Sequence, residues 1–426
     1  MEKDSGWAEP RPHRVTASTA AAGTGAAVER SAKRKRSSSG YLPSLDGWRA
    51  LAILGVMMTH DAPWSLGPLT NAGWRGWGGD GVYLFFAISG LLICWRILKE
   101  ESLVGEFHLK SFYVRRILRI QPAAIAYLCV VAGFRLAGCL HEYWRFWFGA
   151  LFLYQNFLFH AMQEHLIEYG LFTGHFWTLA VEEHFYILLS LLLFFVRKHR
   201  IPVFAVLLIL ILSAQRIAMR HGLFSVDVSG RRTYWLIQLL LWPALVAMLL
   251  RVPRIRAICQ RWFHPWLIFS GTLLLVLGRE SMDARHVIWN PFAGDFSMQR
   301  QTIFRLFPLW LVATMLHPRS WTTRLLEAPL LRFVGRLLYS VYLWHVFFFH
   351  LTAAQVTFGP LRALGLRPAK YVMTAIAALL SYYLVEKPFI RLGHRLAPPA
   401  TAGRLDMVDE PVETHAVSVE AAAAQP

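Results

Sequence analysis

Hydrophobic positions fall along this chain in long blocks broken by short polar stretches. Eleven apolar segments can be marked, at about 47–64, 81–98, 120–138, 146–160, 176–196, 202–216, 234–250, 266–278, 302–316, 331–352 and 370–390. Several reach the roughly 20 residues that a helix needs to cross a bilayer. The pattern predicts an all-α fold, a polytopic bundle of transmembrane helices. The stretches "RRILR" (115–119), "RKHR" (197–200), "RVPRIR" (251–256) and "RSWTTR" (319–324) read as basic loops and are placed in the cytoplasm. Loops 62–80, 161–175, 217–233, 279–301 and 353–368 then fall outside. Segments 120–138 and 146–160 cannot both cross under that scheme. The expectation is therefore ten crossings, with one of this pair re-entrant or interfacial and both termini cytoplasmic.

Two polar tails flank the apolar body. Residues 1–40 are rich in Ala, Ser, Thr and Gly and end in "SAKRKRSSSG". They lack a signal peptide's apolar region and cleavage site, so a disordered, basic cytoplasmic tail is expected, with the membrane domain over 41–396. Residues 397–426 read as a second disordered tail.

Composition agrees with a membrane protein. The chain has 426 residues, 55% hydrophobic and only 16% charged, against about a quarter charged in soluble domains. Its formal charge of +18 would suggest nucleic acid in a soluble protein. Here the basic residues lie between apolar runs, so they mark topology and nucleic-acid binding is not expected. The cysteines, Cys94, Cys129, Cys139 and Cys259, form no zinc-ligand spacing. Neither a metal site nor a disulfide framework is predicted.

Charged side chains inside apolar segments are the candidates for chemistry, since each costs about 2.5–3.5 kcal/mol at mid-bilayer on insertion scales. Arg49 and His60 lie in "LDGWRALAILGVMMTHD". Eleven residues make close to three helical turns, so both project from one face, about 16 Å apart. Snorkelling of Arg49 and an interhelical bond from His60 are the bland readings. In "FYVRRILRIQP", Arg116 and Arg119 share a helix face with Arg115 alongside. Such a cluster either marks topology or clamps phosphate. In "HFWTLAVEEHFY", Thr178, Glu182 and Tyr186 stand four apart and line one face, while at most one of the consecutive Glu182 and Glu183 is expected to look into a common cavity and the other to face a basic neighbour or the loop side. His345 sits mid-segment, for an interhelical bond or for function, and Glu386 and Arg391 are expected to pair at a helix end. Gly81, Ser89 and Gly90 suit close helix packing.

Together these stretches resemble the acyltransferase 3 family of integral-membrane acyltransferases, over about residues 41–392. "LDGWRALAILGVMMTH", "GDGVYLFFAISGLLI", "FYVRRILRIQP", "FWTLAVEEHFY", "YSVYLWH" and "VEKPF" are similar to that family's motifs, in the same order. His184 stands where the family more often has Gln. No extracytoplasmic hydrolase-like domain follows the apolar body, so the resemblance is to standalone members.

The resemblance implies an acyl-CoA donor, usually acetyl-CoA, and a hydroxyl acceptor outside the cytoplasm, such as a cell-envelope carbohydrate. No bound cofactor or metal is implied. Arg115, Arg116 and Arg119 would hold the CoA phosphates, Arg49 would assist, and His60 would act as general base. Glu182 or Asp61 would orient His60, and the sequence does not choose between them. Ser89, Tyr186 and His345 remain further candidates. The implied location is the bacterial inner membrane, with envelope-polysaccharide biosynthesis proteins as partners. Two other classes stay open: a proton-coupled transporter or flippase using His60, Glu182 and His345, and a non-catalytic membrane partner.

Overall fold

The computed structural model describes residues 42–61, 74–158, 170–221, 232–284, 306–353 and 355–398. All of them belong to one of the chain's two units, Leu42–Ala402 with Val412–Pro426. The expectations for residues 1–40, for most of the C-terminal tail and for much of the external loops lie outside the described residues.

The described residues form helices and no β-strand. In chain order these are α1 (Pro43–His60), α2 (Trp74–Val104), α3 (Leu109–Leu136), α4 (Trp144–Leu151), α5 (Gln155–Leu158), α6 (Phe176–Phe195), α7 (Arg200–Arg220), α8 (Thr233–Leu236), α9 (Gln238–Leu249) and α10 (Pro253–Trp262). They continue with α11 (Pro265–Ala284), α12 (Phe307–Leu316), α13 (Trp321–Leu326), α14 (Pro329–Arg336), α15 (Leu338–Phe349), α16 (Gly359–Leu364) and α17 (Ala369–Leu380). A π-helical turn, Ser381–Glu386, joins α17 to α18 (Lys387–Leu396).

Among the described residues, five helices are long and apolar enough to cross a membrane: Gly81–Val104, Leu109–Leu136, Phe176–Phe195, Arg200–Ala218 and Ala369–Leu396. Thr233–Leu249 and Pro253–Trp262, bent by 104°, make a sixth if counted as one span. On α7 the exposed face carries Val206, Ile209 and Leu210, of which Ile209 is 61% accessible. Apolar surface of that kind is at home in lipid. The chain is a multi-pass membrane protein.

Two local findings revise the sequence reading. "RRILR" is not a loop but lies within α3, which runs unbroken through Pro122. Arginine and leucine are good helix formers, and the proline removes one backbone hydrogen bond without ending the helix. Segment 146–160, as far as it is described, is not a span. It breaks into α4 and α5 at Leu153, which adopts φ of 60°.

α1 is the central strut. Pro43 starts it at a position where a missing N–H costs nothing. Its Ala50, Ala52 and Ile53 are fully buried, and Trp48 Nε1 donates to Thr314 Oγ1 of α12 at 3.0 Å. Close approach requires glycine at several helix contacts, Gly81 against the Ala52 carbonyl among them. A methyl group at Gly335 would overlap the carbonyl oxygen of Asp46, and one at Gly90 would overlap that of Leu240. Gly81 and Gly90 thus serve packing, whereas Ser89 has a polar partner described below. A core of Tyr127, Leu128, Phe172, Phe176, Leu343 and Phe347 locks α3, the turn before α6, and α15 together. Tyr127 Oη donates to the Phe172 carbonyl at 2.6 Å.

That turn is also held by Glu142, which is 2% exposed and accepts hydrogen bonds from Thr173 Oγ1 and from the Phe172 N–H at 3.3 Å. Burial pushes its carboxyl up to about 8. The folded protein therefore holds a proton that the unfolded chain, titrating near 4.3, has lost. Stability must fall as pH rises between those two values. Glu142→Gln has no such proton. Thermal unfolding in detergent from pH 5 to 9 should show the wild type losing ground to the variant by up to a few kcal/mol, since each pH step of one costs about 1.4 kcal/mol within that window. A constant difference between them would refute the account. In the same assay Gly335→Ala should destabilise by about 1–3 kcal/mol through overpacking. Gly133→Ala, a helical position with nothing within 4 Å, should be neutral or slightly stabilising.

Candidate functional site

A cavity of about 880 Å³, counted to its open mouth, lies among α1, α2, α3, α6 and α15. Its chemistry comes from helical spacing. On α6, Thr178, Glu182 and Tyr186, four residues apart, all line it. On α2, Ser89 and Arg96 stand seven apart, two turns along one face, and both line it. α3 supplies Arg116 and Arg119, α1 supplies Arg49, and α15 supplies Tyr339 and Tyr342.

Four guanidiniums thus meet one lining carboxylate, and they are not equally compensated. Arg49 is paired to Asp46 at 2.8 Å, one turn before it on α1. Arg116 is held on three sides. Its Nε lies 3.2 Å from Glu183, its Nη2 lies 4.0 Å from Glu182, and its guanidinium stacks 3.6 Å from the Tyr186 ring centre. The consecutive carboxylates Glu182 and Glu183 therefore reach the same cation. Glu182 is fixed in turn by Ser89 Oγ, which donates to it at 2.7 Å. Arg96 and Arg119 have no carboxylate within ion-pair distance among the described residues, and both are open to solvent. A pair of free guanidiniums in a recess is suited to a phosphate-bearing ligand.

Tyr342 lines this cavity. Its hydroxyl donates to the His175 carbonyl at 2.6 Å and shares a hydrogen bond with Thr178 Oγ1. Behind it stands a group of histidines. The His345 ring centre is 5.6 Å from that of Tyr342, 5.9 Å from His175 and 5.2 Å from His60, and His60 is also 5.5 Å from His350. His60 and His345, 285 positions apart in the chain, are thus neighbours. His60 is at the end of α1, and Arg49 on the same helix opens into the cavity.

Other candidates are engaged elsewhere. Arg115 pairs with Glu100 at 2.7 Å, tying α3 to α2, and does not line the cavity. Asp61, 1% exposed, is gripped by Arg367 at 2.9 Å and by Lys370 and Tyr371, which pins the end of α1 to the start of α17. Its carboxylate is thus committed to cations, and that of Glu182 to Ser89 and Arg116. Glu386 accepts from Ser340 Oγ at 2.9 Å and is buried, while Arg391 is exposed, so the expected pair at that helix end does not form. His184 stands outside the cavity and bonds Thr233 Oγ1 at 2.7 Å. Sequence reasoning passed over Arg96, His175, His350 and the partners of Asp61. Only Arg96 carried a local signal, its two-turn spacing from Ser89.

Comparison with known proteins agrees in extent with this architecture. The chain is 29% identical over 381 residues to "Putative O-acetyltransferase SACOL0978" of Staphylococcus aureus (strain COL), covering 83% of this chain and 58% of that protein. It is 25% identical over 374 residues to "O-acetyltransferase OatA" of Staphylococcus aureus (strain NCTC 8325 / PS 47), with the same coverage of each. This chain therefore spans less than two thirds of the length of these relatives. No solved structure matches it. The acyltransferase 3 pattern, described as an acyltransferase domain, matches residues 42–386, and by that match over most of its length the chain belongs to the acyltransferase 3 family.

Proposed function

We propose that this protein is a membrane O-acetyltransferase, moving an acetyl group from acetyl-CoA at the cytoplasmic face to a hydroxyl of an acceptor on the far side, a cell-envelope carbohydrate. The observation that carries this reading is the shared position of Tyr342. It lines a cavity holding two unmatched guanidiniums, and its ring packs against the histidine group that includes His60. The names of the relatives, O-acetyltransferases, support the reaction class.

In this reading Arg96 and Arg119 receive CoA phosphates, and Arg49 and Arg116 keep the cavity positive. Glu182 and Glu183 hold Arg116 in place, with its guanidinium plane fixed on Tyr186. The pantetheine arm extends past Thr178 and Tyr342 and brings the thioester to His60. The acceptor's hydroxyl oxygen attacks the thioester carbonyl carbon while His60 takes its proton. A C–O bond forms, the C–S bond breaks, and the proton passes to the departing sulfur to give the free thiol. A base in this role contributes about 10²–10⁴-fold, and positioning supplies the rest.

The orientation belongs to the same proposal. The five long helices, the bent pair, the three shorter apolar helices Pro265–Leu274, Phe307–Leu316 and Leu338–Phe349, and α1 would make ten crossings. Both termini are then cytoplasmic, in a bacterial inner membrane, with the guanidiniums inside and the histidines towards the acceptor.

The test uses membrane vesicles carrying the protein, with radiolabelled acetyl-CoA supplied at the cytoplasmic face. Wild type should label lipid or glycan. His60→Ala should lose about 10²-fold or more in rate. Arg96→Ala and Arg119→Ala should each raise KM for acetyl-CoA about tenfold, as expected for one charge-assisted contact, with kcat little changed. Equal labelling by wild type and His60→Ala would remove the assignment.

A further inference from the structure

His345 is fully buried in the middle of α15, with 0% exposure. Its Nδ1 lies 2.7 Å from the Tyr342 carbonyl oxygen and 3.2 Å from that of Val341. Carbonyl oxygens only accept hydrogen bonds, so Nδ1 carries the proton and the neutral ring presents a lone pair at Nε2. That Nε2 is buried and has no hydrogen-bond partner among the described residues. Buried polar atoms are nearly always paired, and one left open in the interior calls for an explanation. An orphan acceptor facing away from its own helix, inside a cluster of aromatic and imidazole rings, is such a case.

The nearest ring in that cluster is His60, whose centre is 5.2 Å away at an interplanar angle of 68°. Two imidazoles joined by an N–H···N bond of about 2.9 Å have their centres about 5 Å apart. The separation therefore already suits a bond between them. Neither carboxylate that the sequence offered for His60 is uncommitted: Asp61 is held by Arg367, Lys370 and Tyr371, and Glu182 by Ser89 and Arg116.

We propose that His345 is the positioning residue for His60, its Nε2 accepting a hydrogen bond from the imidazolium that His60 becomes on taking the acceptor's proton. This rests on the acetyltransferase reading above. The bond forms when charge appears and strengthens because the donor is then ionised. His345 exchanges no proton itself. The Tyr342 and Val341 carbonyls keep its Nδ1–H in place and so fix which nitrogen is the acceptor. A neutral partner has a further merit in this setting. A carboxylate beside His60 would favour the imidazolium at all times, whereas a lone pair on a neutral ring leaves His60 free to act as a base between turnovers.

The test separates an acceptor from a mere space-filler. His345→Phe keeps a ring of similar size and cannot accept, whereas His345→Gln offers a carbonyl oxygen. Both are studied in full-length protein in vesicles, with two readouts. The first is the pH midpoint of His60 modification by diethylpyrocarbonate, which attacks only unprotonated imidazole, followed by peptide mass spectrometry without any substrate. The second is transfer from radiolabelled acetyl-CoA. The other groups around the pair are Tyr342 on α15 and His350 just after it, His175 before α6, Asp61 at the end of α1, and Arg367, Lys370 and Tyr371 around the start of α17. All of them are unchanged in both variants.

In His345→Phe the midpoint should move about one pH unit lower, because the charged form has lost a hydrogen bond. The rate should fall about tenfold or more with KM for acetyl-CoA within about twofold, since His345 does not line the donor cavity. His345→Gln should recover part of both. A wild-type midpoint in His345→Phe, or equal midpoints and rates in the two variants, would overturn the proposal. Failure of the wild type to transfer acetyl at all would overturn the functional reading, a result distinct from the midpoint comparison.

Discussion

Charge repulsion inside an apolar bundle is the constraint around which this structure is arranged. Arg49, Arg96, Arg116 and Arg119 come from three helices and face one space. Like charges gathered away from bulk water repel strongly. The chain answers with Asp46 on Arg49 and with Glu182 and Glu183 on Arg116. Ser89 and the Tyr186 ring complete the second of these. The compensation is incomplete by design of placement, since Arg96 and Arg119 keep access to solvent.

The same economy of position governs the other half of the site. α1 carries both Arg49 and His60, so a single rigid element sets the distance between them. Its two ends are fixed differently. The first half is held by close backbone contact, with Gly335 against Asp46 and Trp48 bonded to Thr314. The last turn is held by charge, with Asp61 gripped by Arg367 and Lys370. α15 then supplies both Tyr342 to the cavity and His345 to the histidines, three positions apart on one face.

Much of this was readable in the sequence where the signal was local. The long apolar blocks established a helical membrane protein, and four-residue spacing found the Thr178–Glu182–Tyr186 face. Five of the six motifs that gave the family sit on the helices that build the cavity, and the sixth, "VEKPF", crosses from the π-helical turn into α18. What the sequence concealed depends on contacts across long chain separations. Asp61 looked like a partner for its neighbour His60, yet its cations come from 306 to 309 residues further on. Glu386 and Arg391 looked like a pair by spacing, but the buried Ser340 hydroxyl takes the carboxylate. Basic residues in "RRILR" looked like a loop because charge marks membrane boundaries, although the same residues continue a helix readily. The number of crossings suffers similarly, since helices of 10 or 12 residues and a 104° bend blur the boundary between a span and a buried segment.

Arg96 and Arg119 also determine what the cavity contains before any ligand arrives. Two guanidiniums reachable from solution, with no carboxylate within ion-pair distance among the described residues, gather small anions from the surrounding electrolyte. An incoming polyanion enters by exchange, releasing those ions as it takes their place. Part of its affinity is then the entropy of the released ions, which shrinks as the electrolyte becomes more concentrated. In the proposed reading the recess is in effect an ion exchanger built from two side chains, and its grip on a phosphorylated donor would be set by the ionic strength outside as well as by its own shape.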